Sequence, residues 1–306
     1  MISGVSCVFD ACEICGVDDW RPVRTGPVRD GAFGRLTAPE TEVNRCGGCG
    51  VERLAEPFCH DDSIYAGNQY RNLLKEGADV ASFFNEHDRM QLQNLTALWP
   101  ESVRGKRVAD IGCAAGSFLD HISGLAAETV AIEPCAEYHD SLRKRGHILY
   151  ANTLEGSTAL AASVDLATSF SVIEHVRNPR KFLAEIASLL KPAGKMLVST
   201  PNRRDVLMDL LPDDYPAFFY RSVHRWYFDM QSFTRCAELA GLCVQKSAVV
   251  HRFGLSNALI WLRDRKPGGR TALPHLDSPL LDRFWQSYIE QEGSGDYLYF
   301  SLTRAG

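Results

Sequence analysis

At 306 residues, with 45% hydrophobic and 23% charged side chains, the chain has room for one large domain and a small appendage. Its formal net charge of −5 argues against a generally basic, nucleic-acid-coating surface, and no uncharged apolar run is long enough to span a bilayer. The start, MISGVSCVFDACEICG, lacks a basic stretch followed by an apolar one, so no signal peptide is expected and a cytoplasmic location with reduced thiols is predicted.

Under those conditions the ten cysteines are not expected to build a disulfide scaffold. Cys7, Cys59, Cys113, Cys135, Cys236 and Cys243 are scattered and read as small buried hydrophobes. The other four form two matching knuckles, Cys12-Glu-Ile-Cys15-Gly16 and Cys46-Gly-Gly-Cys49-Gly50. Two such pairs offer four thiolates to a tetrahedral zinc ion with no open position, which makes the role structural. The glycine after each pair can take positive φ and turn backbone N–H groups toward the sulfurs. A redox pair or chance spacing is the alternative. Thirty residues separate Cys15 from Cys46, so a hairpin excursion is expected between them. Residues 1–57 are therefore assigned to a small zinc-ribbon-like module. Within it, residues 22–45 are not strongly basic and hold one aromatic residue, which argues against nucleic acid as the module's partner.

Residues 58–100 read as a helical lid or linker, with Phe83, Phe84, Met90, Leu92, Leu95 and Leu98 on a partly buried helix from 81 to 99. From Arg107 the pattern alternates. RVADIG is a strand, SFLDHISGLA a helix, ETVAIEP a strand, AEYHDSLRKRG a helix, and VDLATSFSVIEHV a third strand with its exit loop. The next helix starts at Asn178-Pro179, buries Phe182, Ile186, Leu189 and Leu190, and stops at Lys191-Pro192-Ala-Gly194. KMLVSTP follows as a strand, and 242–250 and 297–303 are the last two. Between those two lies an insertion at about 255–295, helical at 280–291. This is an α/β chain: residues 101–306 form a mostly parallel sheet with helices on both faces.

The segment Val108-Ala-Asp110-Ile-Gly112-Cys113-Ala114-Ala-Gly116-Ser117 joins the first strand of that domain to its helix. Small residues there let a ligand approach the backbone, and the helix N-terminus suits an anionic group. The spacing D-x-G-x-x-x-G is not the dinucleotide fingerprint. Glu133, 23 residues after Asp110, closes the second strand, where a carboxylate can accept both hydroxyls of a ribose.

This run resembles motif I of the class I, Rossmann-like S-adenosylmethionine-dependent methyltransferases, over about residues 105–250. The resemblance implies that Asp110 and the loop Gly112, Cys113, Ala114 and Gly116 wrap the methionine part of S-adenosylmethionine. It places Glu133, with Pro134 next to it, at the ribose, and Asn152, Thr153 and Leu154 beside the adenine. Phe170 and Ser171 then line the methyl end.

Methyl transfer needs in-line placement, and a hydroxyl or carbon acceptor also needs a general base. His175, in SVIEHV, and His224, in Tyr220-Arg-Ser-Val-His224-Arg-Trp-Tyr227-Phe, sit on strand-exit loops at the ligand face of such a sheet. His224 with Tyr220 is taken as the first candidate base and His175 as the second. The order of zinc module, Tyr65-Ala-Gly-Asn-Gln-Tyr70-Arg71 and methyltransferase core is similar to the sugar C-methyltransferases of deoxysugar pathways. That likeness makes Tyr65, Tyr70 and Arg71 a lid over the cofactor. Two departures, a missing C-terminal domain and a different histidine spacing, favour oxygen as the acceptor atom. This is the behaviour of related zinc-bearing enzymes of surface-polysaccharide and natural-product pathways.

The expected reaction is methylation of a small hydroxylated molecule, a sugar or nucleotide-linked sugar, with Arg203, Arg204, Arg221 and Arg225 as candidate grips for phosphate. An RNA methyltransferase using the zinc module, or a non-catalytic protein that kept the cofactor pocket, are the alternatives. The first would need a basic patch around Cys12–Cys49, the second a degraded loop or a missing Glu133. The insertion, with Trp261, Leu262, Leu281, Phe284 and Trp285, is expected to set substrate choice or to form a homodimer contact.

Overall fold

The computed structural model describes residues 10–77, 79–98 and 102–305. Cys7, and Trp99 at the end of the expected lid helix, lie outside them. Seven strands form the main sheet: β4 (Arg107–Ile111), β5 (Glu128–Ile132), β6 (Ile148–Tyr150), β7 (Val164–Phe170), β8 (Leu190–Pro201), β10 (Leu242–Val250) and β11 (Tyr297–Arg304). Their order is β10-β11-β8-β7-β4-β5-β6, with β11 antiparallel to both neighbours, β10 and β8, and the run from β8 to β6 parallel throughout. The fold is the mostly parallel, Rossmann-like α/β sheet expected from the sequence. Near-continuous apolar runs such as Val108-Ala109 and Val130-Ala131-Ile132 are buried on both faces, as parallel strands covered by helices require.

The chain leaves β4 toward β5 and β6, then returns to β7 on the other side of β4. That reversal opens a crevice beyond the carboxyl ends of β4 and β7.

Helix 179–189 begins as expected: the Asn178 side chain accepts the Lys181 backbone N–H at 2.8 Å, with Pro179 in the first turn. Its buried face is Leu183, Ile186, Ala187 and Leu189, whereas Phe182 turns partly toward the crevice. Strand β6 and helices 153–160 and 255–264 were not expected from the sequence pattern. β6 is three residues at a sheet edge, too short for a period to show. Helix 255–264 buries Trp261 between Tyr215 and Phe218 (ring centroids 5.0 Å from each), so Trp261 belongs to the interior and not to an outward face. The second insertion helix, Pro279–Gln291, leaves Leu280 and Phe284 exposed.

A second sheet has the order β1-β2-β3-β9: β1 (Trp20–Thr25), β2 (Glu42–Cys46), β3 (Glu52–Leu54) and β9 (Trp226–Tyr227). The fourth strand comes from the methyltransferase core, and Cys12, Ile14, Trp226 and Phe228 share one apolar cluster. The N-terminal module is thus fastened onto the segment that carries Tyr220 and His224. No helix among the described residues is long and apolar enough to cross a membrane.

Candidate active site

The two knuckles match in their hydrogen bonding. Gly16 N–H donates to Cys12 C=O at 2.7 Å and Gly50 N–H to Cys46 C=O at 2.9 Å, both glycines at φ 77°. Gly48 N–H also points to Cys46 Sγ, at 3.4 Å. All four thiols lie within 4.8 Å of one another, with Cys12–Cys49 at 3.7 Å and Cys15–Cys46 at 3.5 Å. Tetrahedral zinc with bonds of about 2.3 Å sets its sulfurs about 3.8 Å apart. The donor set fits.

The crevice opens into a cavity of about 1390 Å³. Along one side runs the loop after β4, where Gly112 (φ 76°), Ala114 (φ 49°) and Gly116 (φ 85°) all take the left-handed conformation. A Cβ on Gly112 would meet Val172 at 2.5 Å, so glycine is required there. Glu133 straps the loop down: its Oε2 accepts Ala114 N–H at 2.7 Å and its Oε1 accepts Cys135 N–H at 2.9 Å. Burial pushes the Glu133 carboxyl up to about 7 against the pull of those two bonds. Asp110 is likewise pushed to about 7 by burial, opposed by the Thr168 hydroxyl 2.7 Å away.

Of the residues expected around the cofactor, Tyr65, Tyr70, Arg71, Asp110, Gly112, Cys113, Ala114, Glu133, Pro134, Asn152, Thr153, Phe170 and Ser171 line this cavity. Gly116 and Leu154 do not. Gly116 caps the following helix from behind the loop, and Leu154, one position into helix 153–160, turns its side chain to solvent at 75% exposure. Asn152 caps that helix through the Glu155 N–H.

Of the candidate bases, His175 belongs to the wall of this cavity, whereas His224 and Tyr220 do not. His224 is buried behind His175, the ring centroids 4.7 Å apart, and Tyr220 donates its hydroxyl to Glu52 at 2.8 Å. The physical reason is the β3–β9 pairing, which draws this segment under the small sheet. His175 is fixed by Val223, whose carbonyl lies 2.7 Å from Nδ1 and can only accept, so Nδ1 carries the proton and Nε2 the lone pair. The Tyr65 hydroxyl donates to the same carbonyl at 3.2 Å. Burial, with smaller repulsion from Arg221 and Arg71, lowers His175 to about 4.

Glu174, which the sequence did not single out, is buried with Oε2 accepting from Thr200 and Oε1 without a partner. Its carboxylate and the His175 and His224 rings lie within 4.8 Å of one another and could hold a cation. Other unforeseen walls come from β10 and β11, where Arg252 sits 3.7 Å over the Tyr297 ring and pairs with Asp296 at 2.6 Å. Ser171, at φ 58°, meets the Tyr297 hydroxyl at 2.8 Å. No motif marks these residues, since they reach the cavity from strands at the far edge of the sheet.

Three of the four arginines named as phosphate grips are placed elsewhere. Arg203 pairs with Glu52 and Asp229, Arg225 with Glu56 and Asp62, and Arg204 is exposed away from the cavity. Arg221 alone of the four lines it.

The family model described as a methyltransferase domain matches residues 84–247. The ubiquinone biosynthesis O-methyltransferase of Rhodopseudomonas palustris (strain BisA53) is 29% identical over 158 residues, covering 48% of this chain and 62% of that protein. The protein of the same name from Paraburkholderia phymatum is 30% identical over 164 residues, covering 49% and 69%. The chain thus spans about three fifths of the length of the first of these relatives. A chain from the complex between the Haloferax volcanii Trm112 methyltransferase activator and a methyltransferase has a TM-score of 0.52 at 15% identity, over 72% of this chain and 93% of that one. At that identity the likeness shows the fold alone.

Proposed function

Because this chain belongs to the methyltransferase-domain family, we propose that it transfers the methyl group of S-adenosylmethionine to a hydroxyl oxygen of a small acceptor. The observation that carries this reading is a single cavity with the Glu133-strapped loop at one end and the lone-pair nitrogen of His175 at the other. The left-handed loop and the buried carboxylate fit the cofactor: Gly112–Ala114 would hold its methionine part and Glu133 its ribose. Bound there, the sulfonium supplies an already activated methyl group. The chain's own residues do the rest. His175 takes the proton of the acceptor hydroxyl on Nε2, and Val223 with Tyr65 holds the ring in the tautomer that can do so. Tyr70, Phe170 and the Tyr297 hydroxyl bound the space in which acceptor and methyl meet, and in-line placement supplies much of the acceleration. Cys12, Cys15, Cys46 and Cys49 would hold zinc as a structural clamp on the small sheet.

The sugar acceptor suggested by the sequence resemblance gives way here to a phenolic one. The relatives are named for ubiquinone biosynthesis, and the aromatic walls around Phe170, Tyr297 and Tyr299 suit a planar ring better than a polyhydroxylated one. The test is a methyl-transfer assay with labelled S-adenosylmethionine against a panel of catechols, with and without a carboxylate or phosphate substituent, and of nucleotide-linked sugars. Catechol methylation on oxygen is expected. Transfer to sugars alone would overturn the phenolic choice, and absence of S-adenosylhomocysteine binding would overturn the reading entirely.

A further inference from the structure

Arg221 stands out among the guanidiniums of the cavity wall, of which Arg89 and Arg270 are exposed to solvent. Arg71 is paired with Glu76, Arg252 with Asp296, and Arg177 with Asp61 and Asp62. Arg221 has no carboxylate within ion-pair distance among the described residues, and its Nε is buried without a hydrogen-bond partner. Its backbone is held in place: the backbone N–H donates to the Tyr227 hydroxyl oxygen at 2.8 Å, and that hydroxyl donates back to the Arg221 C=O at 2.9 Å. A parallel bridge then ties it to Arg29 of the N-terminal module.

Arg29 makes the imbalance worse. It too is buried without a carboxylate partner among the described residues, lying instead 4.4 Å over the Phe218 ring. Burial first, and the Arg221 charge second, bring it down to about 9. Arg221 lines the cavity together with His175 and Tyr70, and its charge reaches both of them and Glu174. A half-buried guanidinium beside a second cation is costly unless something negative arrives to meet it.

We propose that the methyl acceptor carries an oxyanion, a carboxylate or a phosphate, and that Arg221 binds this group beside His175. This rests on the acceptor lying in the cavity as proposed above, and it deepens that reading by naming the acceptor's charge. A planar guanidinium meets such a group through two parallel N–H bonds. It also selects: a neutral acceptor would leave Arg221 desolvated and unpaired, so sites of this kind reject the uncharged analogue strongly.

The experiment uses the full chain saturated with S-adenosylhomocysteine and reads binding by calorimetry, independent of turnover. Three probes are titrated: benzoate, benzyl alcohol as its neutral counterpart, and inorganic phosphate. At least one anion should bind about tenfold or more tighter than benzyl alcohol. Benzoate winning identifies a carboxylate, phosphate winning a phosphate. Arg221→Gln should erase the preference while leaving S-adenosylhomocysteine affinity unchanged, and Arg221→Lys should retain part of it. If Arg221→Gln does not fold, the wild-type ordering and Arg221→Lys decide. Neither anion outbinding benzyl alcohol in the wild type, or a preference that survives in Arg221→Gln or is undiminished in Arg221→Lys, overturns the proposal. Loss of S-adenosylhomocysteine binding in the wild type would instead condemn the cofactor reading.

Discussion

The loop after β4 and the wall around His175 face one cavity, yet their residues come from very different distances along the chain. At the loop, Ala114 and Glu133 are 19 residues apart and belong to one strand–helix–strand unit. At the far wall, Tyr65 meets His175 across 110 residues and Val223 across 158, while Ser171 meets Tyr297 across 126. A local unit can hold a constant ligand with few residues, because one turn and one carboxylate fix its geometry. The acceptor wall is assembled from the lid, β7, the segment before β9 and β11. It can be altered from several places without disturbing the loop. The variants below should therefore separate: some empty the acceptor end, others only loosen the cofactor.

The largest effect is expected from Cys46→Ser. In a structural zinc site built from four thiolates, binding free energy is largely folding free energy, on the order of 10 kcal/mol in small zinc modules. Removing one thiolate should abolish the zinc, about one ion per chain by elemental analysis, and melt β1–β3. Because β9 pairs with β3, the disorder should reach the segment around Val223 and cost methyl transfer. S-adenosylhomocysteine affinity should survive within a few-fold. Equal loss of both would show that the two ends fold as one unit.

Next is His175→Ala. Losing a general base typically costs 10²- to 10⁴-fold, so turnover in single-turnover assays should fall by about a hundredfold or more, with cofactor affinity barely changed. His224→Ala should cost less, through the packing of His175. The reverse ranking would put the base behind the wall and sink the assignment drawn from the cavity.

These two rankings also mark what was legible in the sequence. The β4 turn, Glu133 and both cysteine knuckles could be read because each is a spacing inside one local element. Helix 179–189 could be read from its cap and its period. His224 lies buried off the cavity wall although its loop leads to the ligand face, and nothing local said that β9 would pair with β3. Leu154 faces solvent and not the cavity, because one helical position is about 100° of rotation and enough to move a side chain from one to the other. Arg221 looked no different from Arg203 and Arg225. Only the carboxylates Glu52, Asp229, Glu56 and Asp62, brought from elsewhere, distinguish the paired from the unpaired.

At the cofactor end, Glu133→Ala should weaken S-adenosylhomocysteine by about tenfold to a hundredfold, since losing charge-assisted hydrogen bonding to the ribose costs roughly 1.5–3 kcal/mol. Turnover at saturating cofactor should change far less. A turnover collapse with unchanged affinity would move Glu133 from the cofactor's grip to the chemistry.

The smallest effect is the most specific, because it depends on the protonation of that same carboxylate. Burial raises Glu133 to about 7 in the ligand-free protein, so near neutrality it is partly protonated. Ribose hydroxyls donate to the charged form, and binding must therefore release a proton. Affinity for S-adenosylhomocysteine should then rise with pH below about 7, by at most tenfold per unit, and level off above it. Thermal stability is a poorer reporter, because two signs compete. Glu133 and Asp110, with raised pKa values, stabilise the folded state below the unfolded value near 4 and lose that contribution as pH climbs through about 7. His175, lowered to about 4, contributes stability present above its unfolded value near 6.5 and lost as pH falls through the folded one. Calorimetry at a series of pH values from about 5.5 to 8 avoids that cancellation. Asp110 titrates in the same window, so Asp110→Asn is measured alongside: the rise should persist in Asp110→Asn and flatten in Glu133→Gln. A slope that persists in Glu133→Gln would assign the proton to another group and leave the ribose contact without its support.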